Sequence, residues 1–268
     1  MTTQLMIDSG AYSAFTQKTT IDIGEYIEWV KRNEKHFEVY FNLDVLGDGS
    51  GSYTNWIYMR SCGLDPVPVF HITENERDIR FLKRYLKMTD YVAIGAIANM
   101  STSKRMESLN RIWEEYLTDS KGIPIARVHG FGLTSITVMK TFPWWSVDST
   151  SWVMFGRYGA ILVPRTKNHE YIYNENPFIV TVSDKSPKQR EAGKHFRTYP
   201  SNAREKILDY IHAMGFRFGL SKEGEVIVEG VSNVHYLRDQ LNMLYYLGVQ
   251  ESMPKWPWAW KPTRIPKL

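Results

Sequence analysis

The sequence predicts an α/β protein of the TIM-type (β/α)8 barrel class, with a basic insertion after the seventh strand and a small C-terminal α+β addition. Three observations carry this. Short apolar runs alternate with longer amphipathic stretches through the first 165 residues, the pattern of parallel βαβ units. Successive runs through the sixth begin about 20–34 residues apart, roughly the size of one βα repeat, and the seventh follows more closely. Polar residues and glycines cluster where the predicted strands end: Asp8-Ser9-Gly10, Asp44, His71, Gly95, His129-Gly130 and Asp148-Ser149. Barrels build their active sites at those C-terminal strand ends.

The apolar runs lie at 5–7, 39–45, 67–72, 91–97, 123–128, 144–147 and 160–163. Helical spacing fills the intervals, over 23–37 (IGEYIEWVKRNEKHF), 76–88 (ERDIRFLKRYLKM) and 104–117 (KRMESLNRIWEEYL). No GxGxxG turn follows the first strand, which argues against a dinucleotide-binding doubly wound sheet. Residues 1–164 are therefore assigned to the main part of the barrel.

Beyond Pro164 the texture changes. Residues 165–200 are polar and basic, with one predicted strand at 178–182. From Arg157 to Arg197 eight Lys and Arg face four acids. This is either a solvated insertion or a loop that contacts phosphate. Within 201–250 a helix over 202–215 has Ser201 as N-cap and Gly215 as stop. A hairpin turning on Lys222-Glu223-Gly224 and a second helix over 233–247 follow. This segment completes or flanks the barrel. The tail, 251–268, carries Trp256, Trp258 and Trp260 among four prolines and four basic residues. Its prolines forbid a regular helix. It either packs its tryptophans on the body or offers an aromatic, basic strip to single-stranded nucleic acid.

Composition bounds the function. The chain has 268 residues and a formal net charge of +4. Its single cysteine, Cys62, excludes an internal disulfide framework and any multi-cysteine metal site. No run of about 18 apolar residues exists to cross a membrane. The opening MTTQLMIDSG has neither a basic n-region nor an apolar h-region, so a soluble cytoplasmic protein without membrane contact is expected. Aromatics make up 14%, with nine Trp and 16 Tyr, and the pI is about 8.9. Rings and mild positive charge suit nucleic acid, and they suit a generous core equally well.

Three aspartates, Asp8, Asp44 and Asp148, sit at predicted strand ends. One alone could simply cap a helix. Three around one barrel mouth point to chemistry. Metal binding has only His71 and His129 to draw on, without HxH or ExxH spacing. The other use is glycosidic: one acid attacks or shields an oxocarbenium-like sugar carbon while a second handles protons on the leaving group. A shared mouth drives two carboxyl pKa values apart, giving one ionised nucleophile and one proton donor.

Several strings resemble the tRNA-guanine transglycosylase superfamily. Ile7-Asp8-Ser9-Gly10-Ala11-Tyr12 resembles its Asp-Ser-Gly-Gly-aromatic motif. Phe41-Asn42-Leu43-Asp44 is similar to its base-recognising strand end. Ala93-Ile94-Gly95-Ala96-Ile97-Ala98 resembles Ile-Gly-Gly-Leu-Ala, and His129-Gly130-Phe131-Gly132 resembles Met-Gly-Val-Gly. Val147-Asp148-Ser149 stands where the family has Phe-Asp-Cys. The compact size and the HGFG and VDSTSW strings lean toward the shorter phage and bacterial enzymes that insert 7-deazaguanine bases into DNA.

The resemblance implies a TIM barrel that exchanges a base in DNA through a covalent glycosyl-enzyme intermediate. A free 7-deazaguanine base is the co-substrate, and neither cofactor nor metal is needed. It makes Asp148 the nucleophile on C1′ and Asp8 the general acid/base. Tyr12 would stack on the base; Ser9, Asp44 and the backbone around Gly95 would read its edge. His71 stands where the family often has Gln, and His129 replaces a Met that sandwiches the base. The cysteine-rich zinc site of the tRNA enzymes cannot be built here, so DNA is expected rather than tRNA. Ala96 replaces the second glycine of the family's pair, and Ser149 its cysteine.

A base inside a duplex is unreachable, so such an enzyme flips it or takes single strands, with aromatic residues clamping the gap. Tyr12, Tyr53, Trp56, Trp144, Trp145 and Trp152 are candidates, with core packing as the alternative use. Gly10 and Gly130 would let a flat ligand approach closely. Arg165, Lys167, Lys188, Arg190, Lys194 and Arg197 are the candidate backbone-contacting cations, the first two lying where barrels commonly bind phosphate. If water resolves the intermediate, the same mouth is a DNA glycosylase. A catalytically inert nucleic-acid-binding barrel is the remaining alternative, although strand-end aspartates repel phosphate.

Overall fold

The computed structural model describes residues 5–72, 76–95 and 101–262, without the side chains of Glu76, Thr102, Gln189 and Arg190. The Ala96-Ile97-Ala98 part of the family-like string and the last six tail residues fall outside the described residues. The chain is a mixed α/β protein whose contacts divide it into two compact units. The first comprises the described residues of Met1–Leu133, Thr141–Asp148 and Trp256–Leu268. The second comprises Thr134–Lys140 and Ser149–Lys255.

In the first unit the strands are β1 (Met6–Ile7), β2 (Val39–Tyr40), β3 (Val69–His71), β4 (Tyr91–Gly95), β5 (Arg127–Gly130) and β6 (Ser146–Val147). Helices α1 (Ala11–Gln17) and α2 (Ile23–Asn33) follow β1. Helices α3 (Gly49–Ser61), α4 (Ile79–Met88) and α5 (Thr102–Ile112) follow β2, β3 and β4 in turn. Helix α6 (Ile136–Thr141), which precedes β6 in the chain, belongs to the second unit except for Thr141.

The strands pair in parallel and in chain order. β1 pairs with β2, a bridge from Phe41 to Val67 leads on toward β3, and β3, β4, β5 and β6 form one sheet. This is the neighbour order a βα repeat produces. Among the described residues no ladder closes the run into a ring. β4 is buried along its whole length, which is why its sequence, YVAIG, is continuously apolar rather than alternating.

Helices α2, α3 and α5 start where a side chain satisfies one of their first N–H groups. Asp22 accepts from Glu25 N at 2.9 Å, Asp48 from Gly51 N at 2.9 Å, and Ser101 from Lys104 N at 3.4 Å. Each such cap stabilises its helix by about 1 kcal/mol. α2 turns Tyr26, Ile27 and Val30 into the core beside Met59 of α3 and Leu64. Trp56 of α3 is fully buried and donates its Nε1–H to Pro66 O at 2.9 Å. α5 runs on into a π-helical turn, Trp113–Leu117, that buries Trp113 and Leu117. The expected helix over 104–117 is thus one continuous segment with a widened end.

The described part of the tail from Trp256 onward belongs to this unit and packs, whereas Glu251 and Ser252 end the last helix of the second unit. Trp260 is buried, stacks on Phe142 at 5.8 Å, and its N–H donates to Gly122 O at 2.8 Å. Trp256 donates to Pro143 O at 3.1 Å and meets Trp145 edge-on.

The second unit holds α7 (Ser151–Arg157), β7 (Ala160–Val163), β8 (Arg165–Lys167), β9 (Glu170–Ile172), β10 (Phe178–Thr181), α8 (Ser201–Ala213), β11 (Leu220–Lys222), β12 (Glu225–Val228) and α9 (His235–Ser252). The expected strand at 160–163 forms, but its partner is β10, antiparallel. β8 and β9 form a hairpin the sequence did not signal, because the residues of β8 are all exposed and no apolar alternation marks them. The hairpin of β11 and β12 forms as expected, with Glu223 and Gly224 at positive φ in its turn. Ser201 is not the N-cap of α8: it is the first helical residue, and Pro200 takes the cap position. The core of this unit gathers Ile161, Val180, Val182, Tyr210, Ile211 and Leu241. No described helix in either unit is long and apolar enough to cross a membrane.

Candidate active site

The C-terminal ends of β1, β2, β3, β5 and β6 bring the sequence-predicted polar residues together within the first unit. Asp8 follows β1. Gly10, at φ +78°, starts α1 in a conformation that L side chains rarely adopt. The Asp8 carboxyl is raised above the ordinary carboxylate range by burial first, then by the negative charges of Asp44 and Asp148. The backbone N–H groups of Ser9 and Gly10 pull it down in part. The three strand-end aspartates therefore share one electrostatic environment.

Asp44 is held by two neighbours. Ser9 Oγ donates to its Oδ1 at 3.1 Å, and His71 Nε2 lies 2.8 Å from its Oδ2. Its side chain is only 11% exposed and that of His71 only 6%. Asp44, expected to read the base edge, is thus paired with two other expected base-binding residues, Ser9 and His71, with both carboxylate oxygens engaged. Gly95 explains how His71 fits: a Cβ there would lie 2.6 Å from His71 Cδ2. The carbonyl of Gly95 accepts from Ile72 N at 3.3 Å, so that acceptor belongs to the sheet.

Asp148 continues the ladder beyond β6, donating its N–H to Gly130 O at 3.2 Å. Its Oδ1 accepts from Gly132 N at 2.8 Å. Burial raises its carboxyl too, and the Gly132 N–H opposes the rise. The side chain is nevertheless 49% exposed, so its second oxygen can meet a ligand.

His129 was expected to sandwich a base, and the structure corrects this. The ring is buried among protein rings, with centroids 4.8 Å from Phe41 and 4.6 Å from Phe131. Its Nδ1 lies 2.8 Å from Ser146 Oγ, which in turn lies 2.9 Å from Tyr91 OH. Its Nε2 faces Asp148 Oδ1 at 3.8 Å. Burial lowers its pKa from 6.5 to about 3, so the ring is neutral at physiological pH. Gly130 is also reassigned. A Cβ at that position would meet Leu133 Cδ1 and the ring of Trp144, so its missing side chain serves packing rather than ligand approach.

Tyr12, on α1 just after Asp8, is 55% exposed, and Phe15 one turn later is 63% exposed. Trp56 and Trp144 are core residues and drop out as clamps. Tyr53 packs among Trp56, Phe81 and Tyr85, and Trp145 against Trp256. Trp152 lies in α7 of the second unit. Of the candidate phosphate contacts, Arg165 lies over Phe178 and donates to Asn176 O, with Glu175 at 3.5 Å. Lys194 pairs with Glu191 at 2.7 Å and Arg197 with Asp184 at 2.8 Å. Lys167 and Lys188 are exposed. The Arg190 side chain falls outside those described. All six cations belong to the second unit, which also holds the chain's excess of Lys and Arg over Asp and Glu.

Sequence reasoning missed Ser146 and Tyr91, which sit on strands as ordinary core-edge residues without any motif. Gly132 was visible within HGFG but had no role assigned. Comparison with protein-family models, with curated proteins and with solved structures gives no match.

Proposed function

We propose that the chain is a base-exchange enzyme on a TIM-type (β/α)8 barrel. It cleaves the N-glycosidic bond of guanine in DNA through an aspartyl intermediate and inserts a 7-deazaguanine base. One observation carries the reading: Asp8 and Asp148 share a strand-end mouth but differ in surroundings. Asp8 is raised by burial and two neighbouring carboxylates, which favours its carrying a proton. Burial raises Asp148 as well, opposed by the Gly132 N–H on one oxygen, but its side chain is half exposed, which favours it as the carboxylate nucleophile of the two. The order of parallel strands and the resemblance in the DSGAY, HGFG and VDS strings support the same reading.

In the first step an Asp148 oxygen bonds to C1′ as the bond from C1′ to the purine nitrogen breaks. The proton of Asp8 goes to the departing base. In the second step the incoming base gives its ring N–H proton to the Asp8 carboxylate, its nitrogen bonds to C1′, and the ester to Asp148 opens. Proton transfer by a positioned carboxyl contributes about 10²–10⁴ in rate. Tyr12, exposed beside Asp8, supplies a face on which a base can stack.

The half-open side chain of Asp148 also favours a second reading, in which water takes the place of the incoming base and the product is an abasic site. Incubation with guanine-containing DNA, with and without a 7-deazaguanine base, separates the two. Mass analysis showing incorporation supports exchange, and alkali-labile sites without added base support hydrolysis. Neither product from folded protein overturns both.

A further inference from the structure

We infer that His129 is a positioning residue for Asp148, held by Ser146 and Tyr91 as the tautomer that carries its proton on Nε2 and presents that N–H to Asp148 Oδ1. The inference rests on the base-exchange reading for what Asp148 then does. It is carried by a hydrogen-bond count. Tyr91 OH, Ser146 Oγ and His129 Nδ1 form one partly buried chain, at 2.9 and 2.8 Å. A phenol is the better donor to a hydroxyl, so Tyr91 gives its proton to Ser146. Ser146 then spends its own on His129 Nδ1, which must be unprotonated to accept.

A neutral imidazole carries one proton, and it therefore sits on Nε2. That atom is buried and has no hydrogen-bond partner among the described residues. A buried polar group without a partner is costly, and such exceptions mark sites of function. What Nε2 faces is Asp148 Oδ1 at 3.8 Å, the same oxygen that accepts Gly132 N–H. Gly132 already donates to Oδ1, and the Nε2 proton assigned above gives that oxygen a second donor to face.

The separation exceeds a hydrogen bond, and such contacts commonly tighten only when substrate is bound. Phe41 and Phe131, which also touch each other, both pack against the ring and limit its movement. Oδ1 is thereby the held oxygen, and Oδ2 the one that attacks C1′. The same donors draw charge back onto Oδ1 when the ester opens.

The first test needs no activity. Nitrogen-15 NMR of the free protein should show Nε2 protonated and Nδ1 unprotonated, and Ser146→Ala should mix the tautomers while Ser146→Thr keeps the wild-type pattern. A protonated Nδ1 or a doubly protonated ring in the wild type overturns the inference. Carbon-13 titration should show the Asp148 carboxyl at higher pH in His129→Phe than in the wild type; an unchanged titration overturns it.

Under turnover, His129→Phe and Ser146→Ala should lower kcat by about 10–100-fold with KM unchanged, and Ser146→Thr should restore it. A change in KM alone contradicts a positioning role. Should wild-type protein show neither exchange nor hydrolysis, the base-exchange reading fails. The NMR results still decide the tautomer and the contact. His129→Phe replaces one buried ring with another among Phe41 and Phe131, so it should fold.

Discussion

His71 Nε2 lies 2.8 Å from Asp44 Oδ2, with Gly95 on the neighbouring strand leaving no room behind the imidazole. The ring has one seat, between a carboxylate and a bare backbone. Gly95→Ala should therefore push His71 off Asp44. Overpacking at a buried strand costs about 1–3 kcal/mol, to be read from the urea midpoint. Activity should fall with it. An alanine variant as stable as the wild type would show that the ring can move aside.

His129 gives the protein an acid-sensitive core. Its folded pKa of about 3 lies below the unfolded 6.5, so the unfolded state binds more protons between those values. Stability from this group is complete above pH 6.5 and is lost as pH falls toward 3, by up to about 4 kcal/mol. Asp8 and Asp148 act in the opposite sense. Their raised values mean the folded state holds protons longer, so their contribution declines as pH climbs from the ordinary carboxylate value. Denaturation of His129→Phe across pH 3–7 should show a flatter profile than the wild type. Parallel profiles would contradict the assignment.

Trp260 closes the first unit. It is 4% exposed and stacks on Phe142, and its backbone N–H bonds Gly122 O. Trp260→Ala should cost about 3–5 kcal/mol, the range for a large buried ring. Chemical denaturation followed by tryptophan fluorescence measures this. A loss under 1 kcal/mol would mean the tail is not part of the core.

The candidate phosphate contacts fall into two groups. Lys194 and Arg197 already have carboxylate partners, whereas Lys167 and Lys188 are exposed. In DNA binding measured against salt, Lys167→Ala and Lys188→Ala should each reduce the slope by about one, uniformly across sequences. Lys194→Ala and Arg197→Ala should change it less. Equal effects from all four would show that the ion pairs open when DNA binds.

Parts of this arrangement were legible in the sequence, and the reason is burial. Runs such as YVAIG at 91–95 are apolar throughout because both faces of β4 are covered, so strand order and spacing could be read directly. Asp8, Asp44 and Asp148 could be located because each interrupts an apolar run at its end. The hairpin of β8 and β9 left no trace because all residues of β8 and Glu170 of β9 are exposed. The pairings of His71 with Asp44 and of His129 with Ser146 were also invisible. They join residues on different strands, and a serine on a strand looks the same whether or not a histidine leans on it. HGFG suggested a ligand site, but its histidine and first glycine turn inward, to Ser146 and to Trp144.

The central claim is that Asp148 forms a covalent bond to the sugar. Incubation with guanine-containing DNA without incoming base, acid quenching, proteolysis and mass spectrometry of the DNA-linked peptide test it most directly. The account predicts a deoxyribosyl ester on the peptide containing Asp148, absent from Asp148→Asn, which should still bind DNA. An adduct on another residue, or undiminished turnover by Asp148→Asn, would contradict it.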